Sequence, residues 1–165
     1  MKVLTYSSKE KIIAALFIPP VSILLNLAVF GPAYFSSLTR FVWPTLITSG
    51  IVLVIYTLCS MVATILINHF PKYSQTFKRI GISIACYIAI MVIAITVMFF
   101  GYDYINIGGM EVRMQNYPLV LLIGAVCNLL ATSFNEGASF FEKWRKLVDE
   151  SEQLKRENLQ SQLEG

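Results

Sequence analysis

The sequence predicts an all-α membrane protein. It reads as a bundle of four transmembrane helices, with the fourth prolonged into a long cytoplasmic helical extension and a small β-hairpin on the opposite, extracytoplasmic face. Three observations predict this. Four apolar runs, at about 12–30, 45–67, 80–100 and 119–141, each approach the ~20 residues a helix needs to cross the hydrocarbon core. Charged residues make up only 14% of the chain and gather between and after those runs, so the 56% hydrophobic content is concentrated in spans rather than spread through a soluble core. Residues 142–165 then reverse the composition: they are charged and polar, with no Pro and no Gly before Gly165.

The first run follows Lys2, Lys9 and Lys11, as in a signal peptide. It continues through Pro19 and Pro20 to Phe30 without a convincing small-x-small cleavage pattern, so it is read as a retained first span. The two prolines are expected to kink or locally break the helix, with neighbouring helices satisfying the freed carbonyls. Asn26 lies further along the same span. Gly31 and Pro32 end it, and a short connection containing Arg40 leads to Trp43 and Pro44, which open span two at interface depth. Thr45, Thr48, Ser49, Thr57, Ser60 and Thr64 are small polar residues of the kind that support close helix packing. Pro71 closes this helix within a polar connection holding His69, Lys72, Lys78 and Arg79. Span three carries Gly81, Ser83, Ala85, Ala89 and Ala94 for close contact.

The connection over 101–117 has two roughly alternating arms around Gly108 and Gly109, the pattern of a two-residue hairpin turn. A hairpin over 103–115 is therefore expected, capping the bundle or touching a ligand. Tyr102, Tyr104 and Tyr117 suit the membrane–water boundary.

Positive charges set the orientation. Lys2, Lys9, Lys11, Lys72, Lys78, Arg79, Lys143, Arg145 and Lys146 fall on one side of a four-span arrangement, and only Arg40 and Arg113 on the other. Both termini are then cytoplasmic. The same distribution makes the net charge of +3 a topology signal and implies no direct nucleic-acid contact.

On the fourth span, helical periodicity places Gly124, Ala125, Asn128, Thr132 and Asn135 on one small, polar face, with Glu136 at its margin. Leu119, Ile123, Val126, Leu130 and Phe134 lie broadly opposite. Asn26, Asn128, Thr132, Asn135 and Glu136 are the candidate sensing or bundle-polar residues. No strong turn signal separates this span from the tail, and a lone Gly137 is tolerated in a helix. In the tail, Trp144, Leu147, Ser151, Leu154 and Asn158 recur at spacings of three and four, a coiled-coil seam with polar members suited to a homodimer that changes state. Projected along one helix, Trp144 and Leu147 fall on the side of Val126 and Leu129, which assigns that side to a second subunit.

No nucleophile–base pair, phosphate-binding Gly-rich loop or HExxH pattern is present. Cys59, Cys86 and Cys127 occupy separate apolar runs without metal spacing and are read as small apolar residues. No catalytic residue and no metal ligand is assigned.

The stretch Glu152-Gln153-Leu154-Lys155-Arg156-Glu157-Asn158-Leu159-Gln160-Ser161-Gln162-Leu163-Glu164 resembles the linker helix that precedes the kinase core of LytS-type sensor histidine kinases. The resemblance implies a bacterial plasma-membrane input domain. It also implies a following helix with a phosphorylated His and a Phe-Leu-Phe-Asn pattern, and a response regulator with a LytTR-type DNA-binding domain as partner. ATP and Mg would belong to that kinase core. The chain holds neither core nor phosphoacceptor: His69, its one His, lies in a basic connection, so the chain is expected to be a sensor fragment of a longer kinase. Two further readings stay open. One is a small transporter or channel subunit, for which Asn26, Asn128 and Glu136 are the only polar path candidates. The other is a membrane scaffold whose tail recruits a partner.

Overall fold

The computed structural model describes residues 8–165. Lys2 of the orientation argument, and the side chain of Lys9, lie outside what is described. The described residues form helices and turns only: α1 (Ser8–Phe30), a 3-10 turn (Gly31–Phe35), α2 (Leu38–His69), a 3-10 turn (Tyr73–Gln75), α3 (Thr76–Ile105), two 3-10 turns (Ile107–Gly109 and Met114–Asn116), and α4 (Tyr117–Glu164). Four of these helices are long and apolar enough to cross a membrane. The chain divides into two compact units, one ending at Asn128 and the other comprising Leu129–Gly165.

In the first unit the helices begin and end where local chemistry dictates. α1 keeps helical backbone through Pro19 and Pro20. It stops at Gly31, whose φ of +65° is a left-handed conformation that favours glycine. α2 starts at Leu38, not at the Trp43–Pro44 pair that the sequence reading chose. The reason is a cap: the Ser37 hydroxyl accepts the Arg40 N–H at 3.3 Å, so one helical turn forms ahead of the proline. Pro44 sits inside α2 and is buried. At ~1.5 Å per residue the 32 residues of α2 extend ~48 Å, longer than a bilayer's ~30 Å hydrocarbon core requires.

The core lies toward the end of the bundle where α1 finishes. It joins Leu25, Val29 and Phe30 of α1 to Met91, Ile95, Met98 and Phe99 of α3, with Tyr34, Met110 and Val120 closing it. Phe30 meets Tyr102 at 5.2 Å between ring centroids, and Phe99 meets Tyr117 edge-on at 5.2 Å. The outward faces stay apolar: Leu46, Leu53, Val54, Ile65, Ile93 and Val97 are all half or more exposed. Such surfaces are a liability in water and unremarkable against lipid tails.

The expected β-hairpin over 103–115 does not form; among the described residues there are no strands. Its first arm is consumed by α3, which runs on through Tyr104 and Ile105 until Asn106 adopts φ +52° and caps it, the Asn106 N–H reaching Tyr102 O at 3.0 Å. Gly108 and Gly109 do take positive φ, +63° and +64°, but within a 3-10 turn and not between paired arms. The remaining arm finds a different partner. The last carbonyls of a helix have no partner within it, and those of α1 accept bonds here. The Arg113 N–H donates to Val29 O at 2.9 Å, and Asn116 Nδ2 donates to Ala28 O at 2.8 Å. A two-stranded hairpin is marginal alone; a loop that satisfies orphan carbonyls is the better solution. Arg40 Nε, donating to Gly108 O at 3.1 Å, holds the same loop to the start of α2.

The first turns of α4 belong to this unit. Val120 is fully buried. Gly124 lies against Ile95 and Met91 so tightly that a Cβ there would overlap Ile95 Cδ1. Asn128 Nδ2 donates to Tyr87 O at 3.1 Å.

In the second unit, the rest of α4 is helical to Glu164. Ser133 returns its hydroxyl to Leu129 O at 2.8 Å, a local bond that leaves little polarity toward lipid. Phe141 and Trp144 lie 6.1 Å apart between ring centroids.

Candidate functional site

Several polar groups in the apolar part of the first unit gather in one place. α1 contributes Ser22 and Asn26, four residues apart and so on one face; α2 contributes Pro44, Thr48 and Ser49; α3 contributes Tyr102. Ser22, Asn26 and Thr48 are completely buried, and Tyr102 is 3% exposed.

Hydrogen bonds connect four of them, Asn26, Thr48, Tyr102 and Pro44, into one chain across three helices. Thr48 Oγ1 lies 2.8 Å from Asn26 Oδ1 and 2.5 Å from Tyr102 Oη. Tyr102 Oη in turn donates to Pro44 O at 3.0 Å. Beside this chain, Ser49 Oγ donates to Ser22 Oγ at 3.0 Å, and Ser22 Oγ donates to Ile18 O at 2.8 Å. The methionine sulfur of Met98 lies 3.8 Å from Thr48 Oγ1. One buried polar atom is left over: Asn26 Nδ2 has no hydrogen-bond partner. A buried polar group without a partner costs about 1–3 kcal/mol, so this amide is the least settled group in the centre.

Local sequence explains the positions. Pro44 lacks an N–H, so the ladder bond to the carbonyl four residues earlier is not made there. Thr45 adds its hydroxyl to the Phe41 carbonyl, and Tyr34 Oη lies 2.5 Å from Thr45 Oγ1. The prolined segment of α2 is thus tied to the turn after α1 on one side and to α3, through Tyr102, on the other.

The sequence-predicted residues separate into different surroundings. Asn26 lies in the polar centre. Asn128 bonds the α3 backbone at Tyr87. In the second unit Thr132 is half-buried, whereas Asn135 and Glu136 are exposed. Trp144, Leu147, Ser151, Leu154 and Asn158 are exposed along α4. Gly108 and Gly109 form the loop beyond α3, described above.

Four side chains of the centre were not singled out as site residues from sequence. Ser22 was passed over, Thr48 and Ser49 were read only as packing residues, and Tyr102 as a boundary aromatic. That last reading is corrected: Tyr102 points into the core, where its hydroxyl finds two partners, while Tyr104, 91% exposed, has the surface position. The spacing of Ser22 and Asn26 was the available signal. A pair of polar residues on one helix face within an apolar span requires partners on the next helix.

The arrangement is suited to hydrogen bonding and to coupling the three helices. It offers no charged side chain, and among the described residues no three His, Cys, Asp or Glu side chains group to hold a metal ion. No protein-family model, curated protein or solved structure matches the chain.

Proposed function

We propose that the chain is the membrane-embedded input module of a bacterial two-component histidine kinase of the LytS type, with α4 passing the signal to a kinase core beyond Gly165. The observation that carries this reading is the composition of α4. A single helix, Tyr117–Glu164, begins as an apolar segment packed on α3 and ends as a charged, solvent-compatible tail. The resemblance of residues 152–164 to the kinase linker supplies the direction of the signal. In this reading both termini are cytoplasmic, the module is a homodimer, and ATP, Mg and a LytTR-type response regulator belong to the full-length protein. A stimulus acts by binding one arrangement of α4 more tightly than the other.

The coding sequence downstream of Gly165 tests the proposal directly. A helix bearing a His followed soon by Phe-Leu-Phe-Asn is the expected result. A natural stop codon at that point would overturn it and favour the scaffold or transport readings. In the first case, inserting single residues within 142–150 of the full-length protein should alter autophosphorylation with a helical period.

A further inference from the structure

We propose that the groove between α2 and α3 is a binding site for one anionic glycerophospholipid of the surrounding bilayer, with an acyl chain in the groove and the phosphate at Arg40. The inference is independent of what α4 does. The groove has a volume of about 510 Å³ and is lined by apolar side chains of both helices, among them Ile47, Val54 and Leu58 of α2 and Ile93 and Val97 of α3. Gly50 lines it too. A small residue in a membrane helix ordinarily lets a neighbouring helix approach, yet a Cβ on Gly50 would meet nothing within 4 Å. The missing side chain deepens the groove instead. From Ile47 to Leu58 it runs ~16 Å along α2, close to the ~15 Å of hydrocarbon in one leaflet.

Charge marks one end. At ~100° per residue, Arg40 stands within ~40° of Ile47, Val54 and Leu58 on α2, two turns beyond the groove. On α3, Tyr104 stands two turns beyond Val97 on the same face. The offset of ~10 Å is comparable to the ~5–8 Å that a headgroup region adds to each leaflet. The Arg40 side chain is held in place: Nε donates to Gly108 O at 3.1 Å, and a terminal nitrogen donates to Ser36 Oγ at 3.0 Å. Both acceptors are neutral, and among the described residues no carboxylate pairs with it. A guanidinium has further N–H donors in a fixed fork that matches phosphate oxygens. Tyr104, 91% exposed, adds a hydroxyl at the same end. A second copy fits less well, because a twofold axis along the membrane normal would set Arg40 against Arg40 at one end of the shared groove.

The test uses the full chain in detergent micelles carrying equal amounts of phosphatidylglycerol and phosphatidylcholine with matched acyl chains. Native mass spectrometry counts the lipids retained. The expected result is one retained phosphatidylglycerol, favoured about fivefold over phosphatidylcholine, the effect of one basic side chain on an anionic headgroup. Arg40→Gln should bring the two lipids to parity. Gly50→Leu, whose side chain enters open space, should lower retention of both, and it carries the test if Arg40→Gln does not fold. Arg113→Gln, at the same end of the bundle but seated against Gly31, should keep the preference. Equal retention by the unaltered chain, or a preference that survives Arg40→Gln or is lost in Arg113→Gln, would overturn the proposal. So would Gly50→Leu abolishing a dimer while lipid retention is unchanged, which would give the groove to a second copy.

Discussion

The guanidinium of Arg113 rests on the α-carbon of Gly31: a Cβ on Gly31 would lie 2.5 Å from Arg113 Cζ and 2.7 Å from Nε. The backbone of the same arginine donates to Val29 O. The end of α1 is thus closed twice by one residue of a distant loop, and Gly31 is the position that permits it.

Gly31→Ala should lower stability by about 1–2 kcal/mol, the penalty of a left-handed conformation for an L side chain, read as a fall in the thermal unfolding temperature of the detergent-solubilised protein. Arg113 is flexible and can swing aside, so Arg113→Ala should restore little of the loss. Full restoration by that second change would show that contact, not backbone conformation, is the cause.

Gly124 makes the comparable demand between helices. Gly124→Val inserts bulk where Ile95 Cδ1 already stands and Met91 Sδ would be 3.0 Å from a Cβ. Overpacking of this kind costs about 1–3 kcal/mol. Ile95→Ala in the same chain should recover part of it, whereas Leu122→Val, on an exposed position, should change little. Denaturation in mixed micelles measures all three.

Thr48→Val removes the hydroxyl shared by Asn26 and Tyr102. About 1–2 kcal/mol of stability should go, since two buried groups lose one partner. Tyr102→Phe should cost less alone, and the double variant less than the sum, because both act on one chain of bonds. Strict additivity in that cycle would mean the centre is not a unit.

Cysteines placed on α4 test the dimer assigned to its outer side. Val126 and Leu129 are about half exposed, whereas Asn128 is engaged with the Tyr87 carbonyl. Oxidative crosslinks between copies are therefore expected at Val126→Cys and Leu129→Cys. They should be weak at Asn128→Cys; efficient crosslinking there would reverse the assignment. The three native cysteines need replacement first.

Much of the fold was legible because its signals are local. Apolar runs of span length mark the four helices whatever they pack against, and Gly31 marks the end of α1; the ends at Ser37 and Asn106 also rest on chemistry within a few residues, but the sequence reading passed over both. Of the small, polar face read on α4, Gly124 and Asn128, a helical turn apart, both meet α3, whereas Asn135 and Glu136 are exposed. The hairpin and the placement of Tyr102 were misread for a common reason. Alternating residues around Gly-Gly and a tyrosine at a span's end have two solutions each, and the choice depends on groups elsewhere in the chain.

The sequence by itself therefore determined that this chain is helical, that four of its helices are long and apolar enough to cross a membrane, and that its charges sit between and after them, since hydropathy and length are properties of consecutive residues. Only the tertiary structure decided that the loop after α3 closes the end of α1, and that Asn26, Thr48 and Tyr102 form one chain of hydrogen bonds. Unpaired carbonyls and buried hydroxyls take whichever partners the packing of distant helices brings within 3 Å, and no stretch of neighbouring residues encodes that choice.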